Sequence, residues 1–382
     1  MIPLAITGAG ILSALGTGLE THLARLGDAN LTVERRPLKS FDASKTDAPL
    51  FEVPDFEPAK FLGDKGLRTL DRLTKLLVVA ARLTLEDAGI KKDGAFVALS
   101  AERVGVCCSN AYGSLEAITE LDRVAVLEDP RYINPAKFPN TVSNSAAGYI
   151  SIWEELRALN VSVSDGNCGA LDAVFASALF LATSRADAII AGGGEAMSEA
   201  LYLAFERLGA FAAGVSLGEG AAFFALEMPH RAALRNAKTL GVAFGYGTAF
   251  VAPDEDVTLL YPAKEALVRA IREALADGAV SADDIDIVVS GESGIAAFDD
   301  AESAAIREAL GDRAVLAPKK LFGETLGAGG ALGLAAALAA LRDGAPLPAL
   351  VRGVAPAHRR TALVTALGYH GNASALLVRA PG

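Results

Sequence analysis

Histidine is scarce in this chain. Only His22, His230, His358 and His370 occur among 382 residues, so any imidazole chemistry has four places to draw from, and no metal set is predicted. Cysteine is as rare. Cys107, Cys108 and Cys168 are an odd number at low density, which excludes a disulfide framework. With no signal-peptide pattern at the start, they predict a reducing cytoplasm. Long apolar runs are also missing. The longest, Leu326 to Leu341, is mostly Gly and Ala and stops at Arg342. It is too short to span a bilayer and reads as a buried helix. Basic charge is in deficit, and a net charge of −11 excludes nucleic acid or an anionic membrane as the main partner.

Hydrophobic residues make up 52% and charged residues 21%, a core-forming composition that excludes disorder. The length exceeds what one core normally supports, and an internal echo supplies the division. A helix ending Leu85-Glu86-Asp87-Ala88-Gly89 precedes the strand Val104 to Ser109. Later, a helix ending Leu275-Ala276-Asp277-Gly278 precedes Ile285 to Ser290. An Ala-rich helix follows in each half, Gly169 to Thr183 and then Gly327 to Leu341, before closing β-rich segments. The fold class is therefore α/β, with pseudo-symmetric halves at 1–235 and 236–382 and mostly parallel sheets covered by helices. Under that duplication Cys168, Glu324 and the Gly291–Ser293 loop point toward the junction, where sites commonly lie.

Two glycine runs resemble phosphate loops only superficially. Leu4 to Gly10 reads as a short strand entering a glycine turn, but the third glycine of a dinucleotide fingerprint is displaced, with Ser13 in its place. Gly192-Gly193-Gly194 reads as close strand-to-helix packing. Cys107 and Cys108 read as buried small hydrophobes. His22, on an amphipathic helix, and His230 and His358, beside arginines, are predicted to face solvent.

Cys168 stands apart. It lies in Val161-Ser162-Val163-Ser164-Asp165-Gly166-Asn167-Cys168-Gly169, a β-rich run and a tight turn before the Ala-rich helix. A thiol at a helix N-terminus faces unpaired N–H groups and the positive end of the dipole, which favour thiolate.

The order of motifs resembles the β-ketoacyl-acyl carrier protein synthases (ketosynthases) of the thiolase fold over nearly the whole chain. The matching pieces are Ile6-Thr7-Gly8-Ala9-Gly10, Pro139 with Asn144 to Gly148, the cysteine elbow, Ala191 to Glu195 and Leu217 to Ala221. Asp299 with Glu302, Lys319 with Gly323 to Gly330, and Leu367-Gly368-Tyr369-His370-Gly371 complete the set. The resemblance implies a layered helix/sheet/helix/sheet/helix fold, no cofactor, and a Cys-His-His set acting on acyl-carrier-protein or coenzyme A thioesters. It also implies a homodimer, or a heterodimer with a ketosynthase, formed through a strand near Val161 to Ser164.

The implied histidines are absent. The first, counted back from Asp299 and Glu302, falls on Gly291, or on Glu292 with a one-residue slip; the second, counted from Lys319, falls on Glu324. Glu324 is either a packing fixture paired with Lys319 or an arginine, or a protonated hydrogen-bond donor, and Glu292 divides the same way. His370 either shapes the glycine loop or acts near Cys168. The resemblance makes Tyr369 a gate, places Asn144 in the pocket wall, and gives an oxyanion hole to the N–H groups of Cys168 and Tyr369.

Loading an acyl group onto Cys168 needs only a thiolate and an oxyanion hole. Decarboxylating a malonyl thioester needs donors around an enolate, and losing one typically costs roughly 10²–10³ in rate. The leading expectation is a chain-length-factor-type partner of a complete ketosynthase in fatty-acid or polyketide biosynthesis. Retention of the cysteine departs from that type, and the segment between Phe211 and Gly218 is shorter than the family's usual loop there. The alternative is a stand-alone acyltransferase or thioester hydrolase using Cys168. Whether the chain is itself an enzyme stays open.

Overall fold

The computed structural model describes residues 1–28, 30, 31, 33, 50–253, 260–342 and 344–382. One sheet of twelve strands runs through both halves. In the first half Leu4–Ser13 pairs with Gly220–Glu227, then come Ala188–Glu195, Val104–Ser109 and, at the edge, Asn160–Val163. In the second, Gly241–Phe250 pairs with Asn372–Arg379, followed by Thr361–Leu367, Ile287–Val289 and Val315–Leu316. Each half repeats the same sense of pairing, two antiparallel steps and then two parallel ones. The halves join where Leu4–Ile6 runs antiparallel to Gly241–Ala243. The sheet is thus mixed rather than mostly parallel. Helical crossovers give the parallel steps, and the antiparallel step between Thr361–Leu367 and Asn372–Arg379 is a direct return of the chain.

Helix Arg72–Asp87 covers the outer face of the first half and Lys264–Asp277 that of the second. Between the halves lie Gly169–Ala182 and Gly329–Ala340. The latter is buried along its whole length, as expected of an Ala-Leu segment with no polar face. Small residues let these layers approach closely. A Cβ on Gly10 would stand 2.1 Å from Ala80 O. The opening segment is therefore a ten-residue strand pressed on a helix, not a glycine turn.

His22 also departs from expectation. Helix Leu19–Leu26 buries Leu19, His22, Leu23 and Leu26, so the histidine falls on the apolar stripe at helical spacing. Its Nδ1 lies 3.2 Å from Ser13 Oγ, and burial pulls its pKa down to about 3. His230, His358 and His370 are exposed.

Candidate active site

Strand Asn160–Val163 feeds a turn, a 3-10 segment Gly166–Cys168 and the helix Gly169–Ala182, which puts Cys168 at the junction of the two halves. Its sulfur is fully buried and lies 3.4 Å from Ala366 O, across on the second half. Burial raises the thiol pKa, and the Asp172 and Asp165 carboxyls push it further up. The expected thiolate is therefore not what this setting favours: desolvation and two acids outweigh the helix terminus. The Cys168 N–H donates to Asp165 O at 3.1 Å, so half of the expected oxyanion hole is engaged in closing the elbow.

Behind the sulfur lies a cluster that sequence reading missed. Asp172 Oδ1 accepts from Tyr246 Oη at 2.5 Å and from Ser374 Oγ at 2.6 Å. Burial and the neighbouring Asp165 carboxyl push the Asp172 pKa up to about 7. Asp172 is the only charged residue of its helix, a signal that was legible. Tyr246 and Ser374 carried none, because they arrive from strands some seventy and two hundred residues away.

The two implied histidine positions hold no imidazole. The N–H of Gly291 donates to Glu302 Oε1 at 2.8 Å, and Thr365 Oγ1 donates to the same oxygen at 2.6 Å. Burial lifts the Glu302 pKa to about 7. Glu324 is buried, and its Oε1 accepts from Lys319 Nζ at 2.7 Å and from Leu326 N at 2.7 Å. Both contacts make it an acceptor. Leu326 is held at a φ of 48°, the left-handed region that a bulky residue rarely adopts.

Glu292 turns to a different partner. Arg352 grips it with two hydrogen bonds of 3.0 and 2.5 Å, and Lys320 lies 3.8 Å away. Asp299 accepts from Ser293 N at 2.9 Å and Gly294 N at 3.0 Å, holding the loop at the start of helix Ala296–Leu310. Glu195 accepts from Ala111 N at 2.8 Å, and burial raises its pKa to about 8. Beside it, a Cβ on Gly193 would lie 2.6 Å from Ser109 O and 3.0 Å from Gly327 O. Gly193 lets the strands of the first half meet the Leu326–Ala328 turn of the second, while Gly194, whose Cβ would lie 2.9 Å from Leu77 of helix Arg72–Asp87, makes the strand-to-helix packing expected of the run.

A cleft of about 270 Å³ opens in front, with Tyr112, Asp165, Asn167, Leu326, Tyr369 and His370 among its walls. Cys168, Glu292, Glu324 and Asn144 do not line it; Asn144 is exposed elsewhere. His370 is the sole imidazole lining the cleft among the described residues. Tyr369 packs edge-on against Phe298 with ring centroids 5.0 Å apart. Burial and the Glu324 charge raise its phenol pKa. The structure thus brings Cys168, Tyr369 and the Lys319–Glu324 pair to one junction. It leaves His370 on the solvent side and Glu292 with Arg352.

The family model described as beta-ketoacyl synthase, N-terminal domain, matches residues 1–232, and that for the C-terminal domain matches 242–351. The chain is 31% identical to the tetracenomycin polyketide synthase ketoacyl synthase beta subunit of Streptomyces glaucescens, over 100% of this chain and 99% of that one. It is 29% identical to 3-oxoacyl-[acyl-carrier-protein] synthase 2 of Coxiella burnetii, over 90% and 87%. The solved ishigamide ketosynthase/chain length factor superposes with a TM-score of 0.87 at 25% identity, covering 100% of each chain.

Proposed function

The chain belongs to the β-ketoacyl synthase family, and we propose that within it this protein is a chain-length-factor-type subunit. In this reading it partners a complete ketosynthase that extends acyl-carrier-protein thioesters in cytoplasmic fatty-acid or polyketide biosynthesis. One observation carries the reading. At the two places where the family needs hydrogen donors, this chain has a glycine tied to Glu302 and a glutamate whose charge is already spent on Lys319. Neither of those two side-chain positions offers a donor to a developing enolate, and an acidic side chain there opposes one. The likeness to a ketoacyl synthase beta subunit and to a ketosynthase/chain length factor supports the same assignment.

The division at 1–235 and 236–382 puts the site at the junction of the halves, and each partner of the dimer would help wall the other's acyl tunnel. The partner would pair with the edge strand Asn160–Val163. From that strand, successively packed elements carry exposed Ile152, Phe138, Tyr132, Leu127 and Val126, the kind of apolar surface a dimer covers. Co-expression with a histidine-bearing ketosynthase tests this. The two proteins should co-purify and make product that Cys168→Ala leaves unchanged. Condensation by this chain alone, or no co-purification, overturns the assignment.

A second reading is favoured by the polar cluster aimed at the sulfur. Cys168 would accept an acyl group from an acyl-carrier-protein or coenzyme A thioester without extending it, which makes the chain an acyltransferase or thioester hydrolase. Loss of product on Cys168→Ala in the co-expressed pair would favour it.

A further inference from the structure

Three acidic or hydroxylic side chains stand between the buried sulfur and the open cleft. Ser374 Oγ donates to Asp172 Oδ1 at 2.6 Å, and the same hydroxyl bears on the Cys168 side chain. The Asp172 carboxyl lies against that of Asp165. Asp165 accepts from Asn372 Nδ2 at 2.9 Å and lines the cleft. Ser374 sits opposite Ala366 in the sheet, the residue whose carbonyl oxygen accepts from Cys168 Sγ at 3.4 Å. Tyr246 Oη fixes Asp172 from the strand Gly241–Phe250. Asp172 is half-buried and faces another carboxyl, so its charged form is costly and it holds its proton up to about pH 7. No cation is hydrogen-bonded to either carboxyl among the described residues, unlike at Glu324, Glu292 or Glu219.

From this geometry we infer that Asp172, acting through Ser374, takes the proton of Cys168 when the thiol attacks an acyl thioester, and that Asp165 connects that proton to the cleft. The inference rests on the second reading above. In the step, the Cys168 sulfur forms a bond to the acyl carbon while the bond from that carbon to the donor sulfur breaks. The thiol proton moves to Ser374 Oγ as the hydroxyl proton moves to Asp172. Asp172 then passes a proton to the departing thiolate, leaving an acylated cysteine and a free thiol. Atoms and charge balance without an oxidant or reductant. Asp172 is a positioning residue in this scheme, because it meets the reacting sulfur only through Ser374. The groups acting on the thiol are Asp172, Asp165, Ser374 and Glu302; those acting on Asp172 are Asp165, Ser374 and Tyr246.

The experiment follows acyl adducts on the full-length protein by intact mass. The probes are N-acetylcysteamine thioesters of short, medium and long fatty acids, with Cys168→Ala locating the adduct. The wild-type rate should climb with pH through about 7, as Asp172 loses its proton. Asp172→Asn should acylate on the order of 10²-fold more slowly and lose that climb, and Ser374→Ala should also be slow. If Asp172 only repels the thiolate, Asp172→Asn lowers the thiol pKa and acylates faster. That result overturns the relay but leaves Cys168 as an acyl acceptor. No adduct on the wild type with any chain length overturns both. Should Asp172→Asn fail to fold, Ser374→Ala decides, since an unchanged rate rejects the relay.

Discussion

The cysteine elbow of the first half and its counterpart in the second are built alike and carry their acids differently. In each, a 3-10 turn leads into an Ala-rich helix that starts with glycine, Gly166–Cys168 into Gly169–Ala182 and Leu326–Ala328 into Gly329–Ala340. The second places its carboxylate just before the turn and neutralises it with Lys319. The first sets Asp172 inside the helix, satisfied by hydroxyls and faced by another acid. A buried charge with a cation at hydrogen-bond distance is a fixture. A buried acid held only by hydroxyls can exchange its proton near neutrality. Between two copies of one motif, the partner decides whether an acid is structural or chemical.

Removing the fixture should have the largest effect on stability. Lys319→Ala strands Glu324 without its cation and is expected to cost about 3–5 kcal/mol in urea unfolding. The pair Lys319→Met with Glu324→Leu should recover most of that loss. A double variant as unstable as Lys319→Ala would mean that the two motifs do not differ in the way described.

Next comes the pH dependence of the uncompensated acids. Glu195 has its pKa raised from 4.5 to about 8 by burial, so the folded state holds a proton that the unfolded chain releases. Its contribution is fully present below about pH 4.5 and is lost as pH rises toward 8. Glu195→Gln should flatten stability against pH across that window in unfolding curves taken at intervals through it. An unaltered slope would place the raised acid elsewhere. The smallest effect belongs to His370, which is exposed on the glycine loop. His370→Ala should leave the melting free energy within about 0.5 kcal/mol, and a larger loss would show that the loop needs its imidazole.

Much of this was legible in order and spacing. Leu326 to Leu341 read as a buried helix because it offers no polar face, and Gly329–Ala340 is that helix. The duplicated halves read from the repeated helix–strand order, and four successive strand pairings run in the same sense in both, with Leu350–Arg352 added at the second half's edge. Other features misled for identifiable reasons. His22 counted as polar and was assigned to solvent, though its spacing from Leu19, Leu23 and Leu26 puts it inside. Cys168 was credited with a thiolate because the elbow is local, whereas the burial and the facing acids that raise its pKa are not. Glu324 was left between two roles, since its distance from Lys319 along the chain says nothing about which atoms meet.

The sequence by itself determined what was missing, namely imidazoles at two positions and a run long enough to cross a membrane. Local chain patterns also placed the elbow, the glycine loop and the buried helices, because short-range spacing sets which face of an element is apolar. Tertiary structure alone decided protonation. Whether a carboxyl meets a lysine, a backbone amide or another acid depends on residues brought together across two hundred positions, and in a dry junction that meeting sets its charge.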